Sequence, residues 1–360
     1  MEQYLEKQLG CLCKSVRPAD AHAVEAAKHH WNEIAKPLYG LGKFEELLVK
    51  IAGVQKTEDI CLNKKAVVVF CADNGVVAEG VTQTDSSVTA VVTENFARGI
   101  ASVNRMASVA GADVIPVDIG VLGEIKEPGV RNCRIANGTK NMRKEPAMSH
   151  EQVLEAIHTG ITLASELKDA GYDLLAVGEM GIGNTTTSSA VASVLLQAPV
   201  ELVTGRGAGL SNTGLEKKIE VIKEAIALHQ PDPEDPLAVL EAVGGFDIAG
   251  MCGLMLGGAI YRIPVVLDGL ISLVAALLAQ KLCPQVTDFL LPSHMGKEPA
   301  CAMAMEKLGL EASIYGNLAL GEGTGAVMLF SLLDMAEAVY RENSTFEEIH
   351  VGAYQEFKEE

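Results

Sequence analysis

The chain has 360 residues, of which 48% are hydrophobic, and a formal net charge of -18. It is long enough for one large domain with an accessory bundle or for two modest ones, and its acidity disfavours nucleic acid as a partner, so any phosphate site must be a local pocket of amides and a few cations. The longest apolar stretch, around Leu270 to Ala279, is too short to span a bilayer, and the polar opening Met1 to Gln8 is no secretory signal.

Aromatic residues make up only 4% of the chain, with Trp31 the single Trp, so the core must be built from Ala, Val, Leu, Ile and Met. The eight cysteines are scattered, and Cys11 and Cys13 lie too close together for zinc-ligand spacing. They read as reduced thiols of a cytoplasmic protein. No metal and no cofactor are expected.

From the N-terminus, Ala21 to Ile34 has a helical pattern, and its His29-His30 pair reads as a solvated face. A turn at Lys36 to Gly42 leads to a second amphipathic helix, Phe44 to Ile51. Lys65 to Phe70 is an apolar β-branched run and predicts a strand. Helical pattern returns at Ser87 to Ala110, and Val114 to Val117 is the next strand. Ser149 opens a helix with Gln152 three residues on as a capping box. Leu174 to Val177 predicts a strand, Ala190 to Leu196 and Leu215 to Leu228 helices, and Pro231-Asp232-Pro233 a break. Pro264 to Leu267 and Phe289 to Leu291 are further strands. They are followed by helices at Leu270 to Lys281 and Pro299 to Leu308, and Thr324 to Tyr340 is the last long helix. Wholly apolar strands alternating with helices imply a parallel sheet covered on both faces, with ligands at the carboxyl ends of its strands.

The polar residues and glycines follow that rule. Cys71 to Val76, including Asp73, follows the first strand, and Asp118-Ile119-Gly120 the second. Gly178 to Thr186 follows the third, Asp268-Gly269 the fourth and Pro292-Ser293-His294 the fifth. In the third segment, Gly178, Gly181 and Gly183 allow close approach of a ligand to backbone amides. Asn184, Thr185, Thr186 and Thr187 add donors at a helix start, where anions bind. It is no Walker loop, and a threonine-capped glycine turn is the competing reading. Thr204 to Gly209 is a second glycine-rich loop, with Arg206 inside it and Lys217-Lys218 on the next helix, the makings of a phosphate clamp. Lys217 reads as solvated; Lys218 stays open. In Gly321-Glu322-Gly323, Glu322 is either an acid at the positive end of a helix or a partly desolvated general base that a flat ring can approach.

Together, Ala72 to Val76 with Glu79-Gly80-Val81, Gly178 to Thr186, Thr204 to Gly207, Val265 to Gly269 and Leu320 to Ala326 resemble the nicotinate-nucleotide:dimethylbenzimidazole phosphoribosyltransferase family of cobamide biosynthesis. The likeness runs from about Lys36 to about Tyr340. It implies a Rossmann-like α/β domain, residues 61–330, and a smaller helical domain formed by residues 1–60 and 331–360. It also implies a homodimer with shared active sites, a heterodimer remaining open. The partners implied are nicotinate mononucleotide and a lower-ligand base. Glu322 matches the family's catalytic base. Gly181 and Lys218 match its phosphate site, with Lys218 supplied by the neighbouring subunit, and Glu179 and Asp268 fall on matching positions. Gly183, Asn184, Thr185, Arg206, Ser293 and Asp73 complete the expected substrate-binding set. The segment Thr82 to Val92 matches the base-binding region. There, benzimidazole-using members typically place Ser where Thr84 stands and Gln where Val92 stands, so another benzimidazole, a purine or a phenol also qualifies as acceptor.

That chemistry suits the residues. Nicotinate departs from its mononucleotide as a neutral ring, so no pyrophosphate needs a metal. Ribose C1 gains oxocarbenium character that nearby carboxylates stabilise, and a remotely held phosphate contributes positioning. Two other readings compete. A transferase using phosphoribosyl pyrophosphate would want an acidic pair after a strand, and Asp118 has no adjacent carboxylate. A non-catalytic subunit completing a partner's site would have little use for Glu322, Glu179 and Lys218 together.

Overall fold

A computed structural model describes residues 2–354. Three helices, α1 (Glu2–Ser15), α2 (Ala21–Glu33) and α3 (Lys43–Gln55), precede the first strand, β1 (Lys65–Ala72). Asp20 starts α2 by accepting the Ala23 amide at 2.9 Å. The segment predicted as one helix over 87–110 is two, α4 (Ser87–Ala97) and α5 (Ser102–Val109). Between them Gly99 sits at φ +73°, which ends the first helix. Then come β2 (Ala112–Gly120), the short β3 (Arg131–Asn132), which the sequence did not signal, and α6 (His150–Asp169). The predicted capping box is present: Gln152 N–H donates to Ser149 Oγ at 3.2 Å, and Ser149 N–H to Gln152 Oε1 at 3.0 Å.

The chain continues through β4 (Leu174–Met180), α7 (Asn184–Leu196), α8 (Val200–Val203), α9 (Asn212–His229), α10 (Pro236–Val243) and α11 (Phe246–Tyr261). It closes with β5 (Val265–Leu267), α12 (Leu270–Leu282), β6 (Leu290–Pro292), α13 (Ala300–Leu308) and α14 (Thr324–Glu342). Helix α11 escaped prediction because nearly all its residues are buried, which removes the amphipathic period by which a helix is recognised.

All six strands are parallel, in the order β3-β2-β1-β4-β5-β6. This is the doubly wound, Rossmann-like order, and the topological switch point falls between β1 and β4. Side chains of β1 alternate between two cores. Val68 and Phe70 face the layer containing α6 and α11, whereas Val67, Val69 and Cys71 face the layer of α2, α3, α5 and α14. Helices α6 and α11 approach so closely that a Cβ on Gly160 would overlap the Gly250 carbonyl. The two chain ends meet on the second layer. Trp31 of α2 packs edge-on against Tyr340 of α14, with ring centroids 4.9 Å apart, and Ile34 pairs with Thr345. Among the described residues, no helix is long and apolar enough to cross a membrane.

Candidate active site

A cavity opens at the carboxyl ends of β4, β5 and β6, where the parallel topology places ligands. Glu179, Thr185, Asp268, His294, Glu298 and Glu322 are among its lining residues.

Glu322 stands in a strained turn. Gly321, Glu322 and Gly323 all have positive φ, at +83°, +62° and +81°. Glycines accept this freely, but a glutamate there costs about 1–3 kcal/mol. The turn is pressed against β4: a Cβ on Gly178 would come within 2.6 Å of the Glu322 carbonyl oxygen. Asp268 fixes the turn from below. Its carboxylate accepts the amides of Gly323, Gly325 and Ala326 at 3.2, 2.8 and 3.2 Å, so it caps α14. Burial, then the Asp268 charge, push the Glu322 carboxyl above its ordinary range, partly offset by an amide from Val103. Its Oε2 is buried with no hydrogen-bond partner.

Glu179 is the penultimate residue of β4, and Gly321 leaves space for it. Its carboxylate accepts from the side-chain amide of Asn184, whose Nδ2 also donates to Asp247 at 3.1 Å. Burial, then the Asp247 charge, raise the Glu179 carboxyl well above the carboxylate range. Asp247 itself is pushed up to about 6 by burial.

The loop before α7 is forced close to β1, because a Cβ on Gly181 would overlap the Ala72 carbonyl. Gly183 then takes φ +92° as the helix N-cap without a side-chain cap. Thr185 follows, and Lys218 Nζ donates to its Oγ1 at 2.9 Å and to the Gly205 carbonyl at 3.2 Å. The resemblance implies a lysine from the neighbouring subunit; here Lys218 reaches Thr185 and Gly205 of its own chain. Helix α9 turns Lys218, Val221, Ile222 and Ala225 inward, a helical stripe that packs beside α7. Burial drives the Lys218 ammonium down to about 8, opposed by Glu298. One Glu298 oxygen accepts the Gly207 amide at 3.1 Å, and the other is buried without a partner. The start of α7, Lys218 and the Gly207 loop thus lie side by side, with the Gly207 amide taken by Glu298.

Other predicted residues take supporting places. Arg206 is exposed and holds its own loop, bonding the Leu210 carbonyl at 2.8 Å and Asn212 at 2.5 Å. Asp73 is buried directly after β1, outside the cavity lining, and accepts the Leu122 amide at 2.8 Å. Ser293 is buried behind His294, with its Oγ 3.0 Å from Nδ1. Asp118 pairs with Arg134 at 2.8 Å, away from the cavity. Thr84 is exposed before α4, and Val92 packs into the helical layer, so neither lines the cavity. Lys217 is exposed, as expected. Among the described residues, no group of His, Cys, Asp and Glu is arranged to hold a metal ion.

Two lining or buried groups were missed. Asp247 lies in the unpredicted α11, and its signal was an acid directly after Gly244-Gly245 at the head of an apolar run. Glu298, in Lys297-Glu298-Pro299, carries no pattern that separates it from a surface loop.

A family model described as Phosphoribosyltransferase matches residues 16–351. The chain is 44% identical to a nicotinate-nucleotide–dimethylbenzimidazole phosphoribosyltransferase of Clostridium acetobutylicum, over 96% of this chain and 99% of that protein. It is 42% identical to the enzyme of the same name from Halalkalibacterium halodurans, over 94% and 95%. The crystal structure of CobT from Thermus thermophilus superposes with a TM-score of 0.87 at 38% identity, covering 92% of this chain and 99% of that one. A Rossmann-order sheet with its glycine loops, buried lysine and strained glutamate at one edge therefore has a family to match, and the chain belongs to the phosphoribosyltransferase family.

Proposed function

We propose that the chain transfers the 5-phosphoribosyl group of nicotinate mononucleotide to a cobamide lower-ligand base, dimethylbenzimidazole or a related ring, giving an α-riboside phosphate and nicotinate. The observation that carries the mechanism is Glu322, held on a strained turn at the cavity wall with one buried carboxyl oxygen unpartnered. The nucleotide phosphate lies at the start of α7 with Lys218. The C1–nitrogen bond breaks with its electrons leaving on the neutral pyridine ring. The acceptor nitrogen, or a phenol oxygen, attacks from the opposite face, and Glu322 takes the proton that it sheds. The carboxyl groups of the cavity favour the positive charge developing at C1.

The same reading makes the two chain ends, residues 1–60 and 331–360, a small helical domain beside a large one of residues 61–330, and makes the enzyme a homodimer. Met328 and Met335 support the dimer. They are exposed at 41% and 65% and share one face of α14 with the half-buried Leu332. A cytoplasmic location is supported by all eight cysteines being free thiols.

The test is to incubate the purified chain with nicotinate mononucleotide and a panel of benzimidazoles, purines and phenols, without added metal. Nicotinate release should match formation of the α-riboside phosphate. No product with any acceptor, from folded protein that binds the nucleotide, would sink the reading.

A further inference from the structure

Asp247 is wholly buried, yet it is one side chain away from the cavity. It stands in the first turn of α11, where an acid commonly does no more than favour the helix dipole. Such acids are normally solvated. This one has none of its surface exposed and divides its two oxygens between different tasks. Oδ1 accepts the Ile248 amide at 3.0 Å, and Oδ2 accepts from Asn184 Nδ2 at 3.1 Å. The same Nδ2 donates to Glu179, which lines the cavity. With a carboxylate on either side, the Asn184 amide has one workable orientation, both N–H groups outward to the two acids. Space for the arrangement comes from Gly245, where a Cβ would stand 2.6 Å from Asp247 Oδ1 and 2.9 Å from Asn74 Oδ1. Phe246 closes it off against Gly120.

We propose that Asp247 is a positioning residue of the transferase reaction, fixing through the Asn184 amide both the orientation of the Glu179 carboxyl group and the electrostatic field in which it works. The inference rests on the phosphoribosyl-transfer reading for its consequence, though its geometry does not. The charged and titratable groups that act on the pair are two further carboxylates and one thiol: Asp268, from the turn after β5, on Glu179, Asp73, directly after β1, on Asp247, and Cys71 of β1 with both. Asn184 is the neutral donor between them. Two buried charges this close disfavour each other, so the two carboxyl groups titrate as a pair, with burial and the Asp247 charge holding Glu179 well above the carboxylate range.

Two substitutions separate this role from plain helix capping, because they act on Glu179 in opposite directions. Asp247→Asn keeps the size of the side chain and removes its charge, which should lower the Glu179 titration midpoint by at least about one pH unit. Asn184→Ala removes a donor to the Glu179 carboxylate and should raise it. The readout is the carboxyl ¹³C titration of Glu179 in the full-length chain labelled at glutamate carboxyls, assigned by its loss in Glu179→Gln. In turnover, Asp247→Asn should lower kcat by on the order of 10²-fold, with KM for nicotinate mononucleotide little changed. Whichever limb of the kcat profile Glu179 sets should move to lower pH. In an Asn184→Ala background the same substitution should cost far less, because the link is already cut. A folded Asp247→Asn chain whose Glu179 titration is unmoved would overturn the proposal. Should Asp247→Asn fail to fold, an unmoved Glu179 midpoint in Asn184→Ala would do the same. The titration needs no turnover, so an inactive wild-type chain would count against the transferase reading and leave this one standing.

Discussion

Replacing Glu322 by Gln keeps the shape of the turn and removes its basicity. With one carboxyl oxygen unpartnered in the wild-type chain, kcat should fall roughly 10²- to 10⁴-fold, the usual worth of a general base, while KM for nicotinate mononucleotide changes little. Steady-state kinetics of Glu322→Gln read both numbers. Lys218 should show itself in KM instead. Its ammonium titrates at about 8 because burial disfavours the charged form. Phosphate binds the charged form, so KM for the nucleotide should be flat below that pH and climb about tenfold per unit above it. Lys218→Ala should raise KM by roughly 10- to 100-fold, matching a lost hydrogen bond to a charged group of about 1.5–3 kcal/mol, and should abolish the pH dependence. The residues drew attention to both positions, Glu322 because glycines flank it and Lys218 because it follows a glycine loop in so acidic a chain, but only the family resemblance gave either a role. What the sequence could not supply was their partners. The proximity of Lys218 to Thr185, 33 positions away, is set by how α9 lies on α7. That depends on tertiary packing and leaves no local trace.

At the scale of elements, the site depends on how closely the Glu322 turn can lie on β4. Gly178→Ala would press a methyl group against the Glu322 carbonyl, so the turn must shift. The expected result is a chain that still folds, with a melting temperature lowered by a few degrees, as ~1–3 kcal/mol of overpacking implies. Activity should fall on the order of 10²-fold, because a misplacement of about 1 Å at the base costs that much. Circular dichroism melts and turnover of Gly178→Ala check both. The elements themselves were mostly readable. The strands declared themselves as apolar β-branched runs, and Ser149 with Gln152 gave the start of α6. The failures have physical causes. Gly99 splits α4 from α5 inside one continuous helical pattern, and only its φ of +73° reveals the break. Helix α11 is buried all round and has no polar face to betray its period. β3 has two residues, both exposed, and exists only through pairing with Val117 and Asp118 of β2.

For the molecule as a whole, the exposed apolar face of α14 predicts assembly. Met335→Glu places a charge on the stripe of Met328, Leu332 and Met335. Light scattering should report a dimer for the wild-type chain and a monomer for the variant; a wild-type monomer at micromolar concentration would exclude the homodimer. Assembly would also bear on robustness, since a partner that binds only the folded chain raises its apparent stability. The strained turn works the other way. A glutamate at φ +62° between two left-handed glycines makes the folded chain less stable than one carrying glycine or asparagine at position 322. A laboratory population selected for heat resistance alone would therefore be expected to lose Glu322 early. Its survivors would be sturdier and catalytically silent, so a screen for hardier variants has to score turnover in the same round.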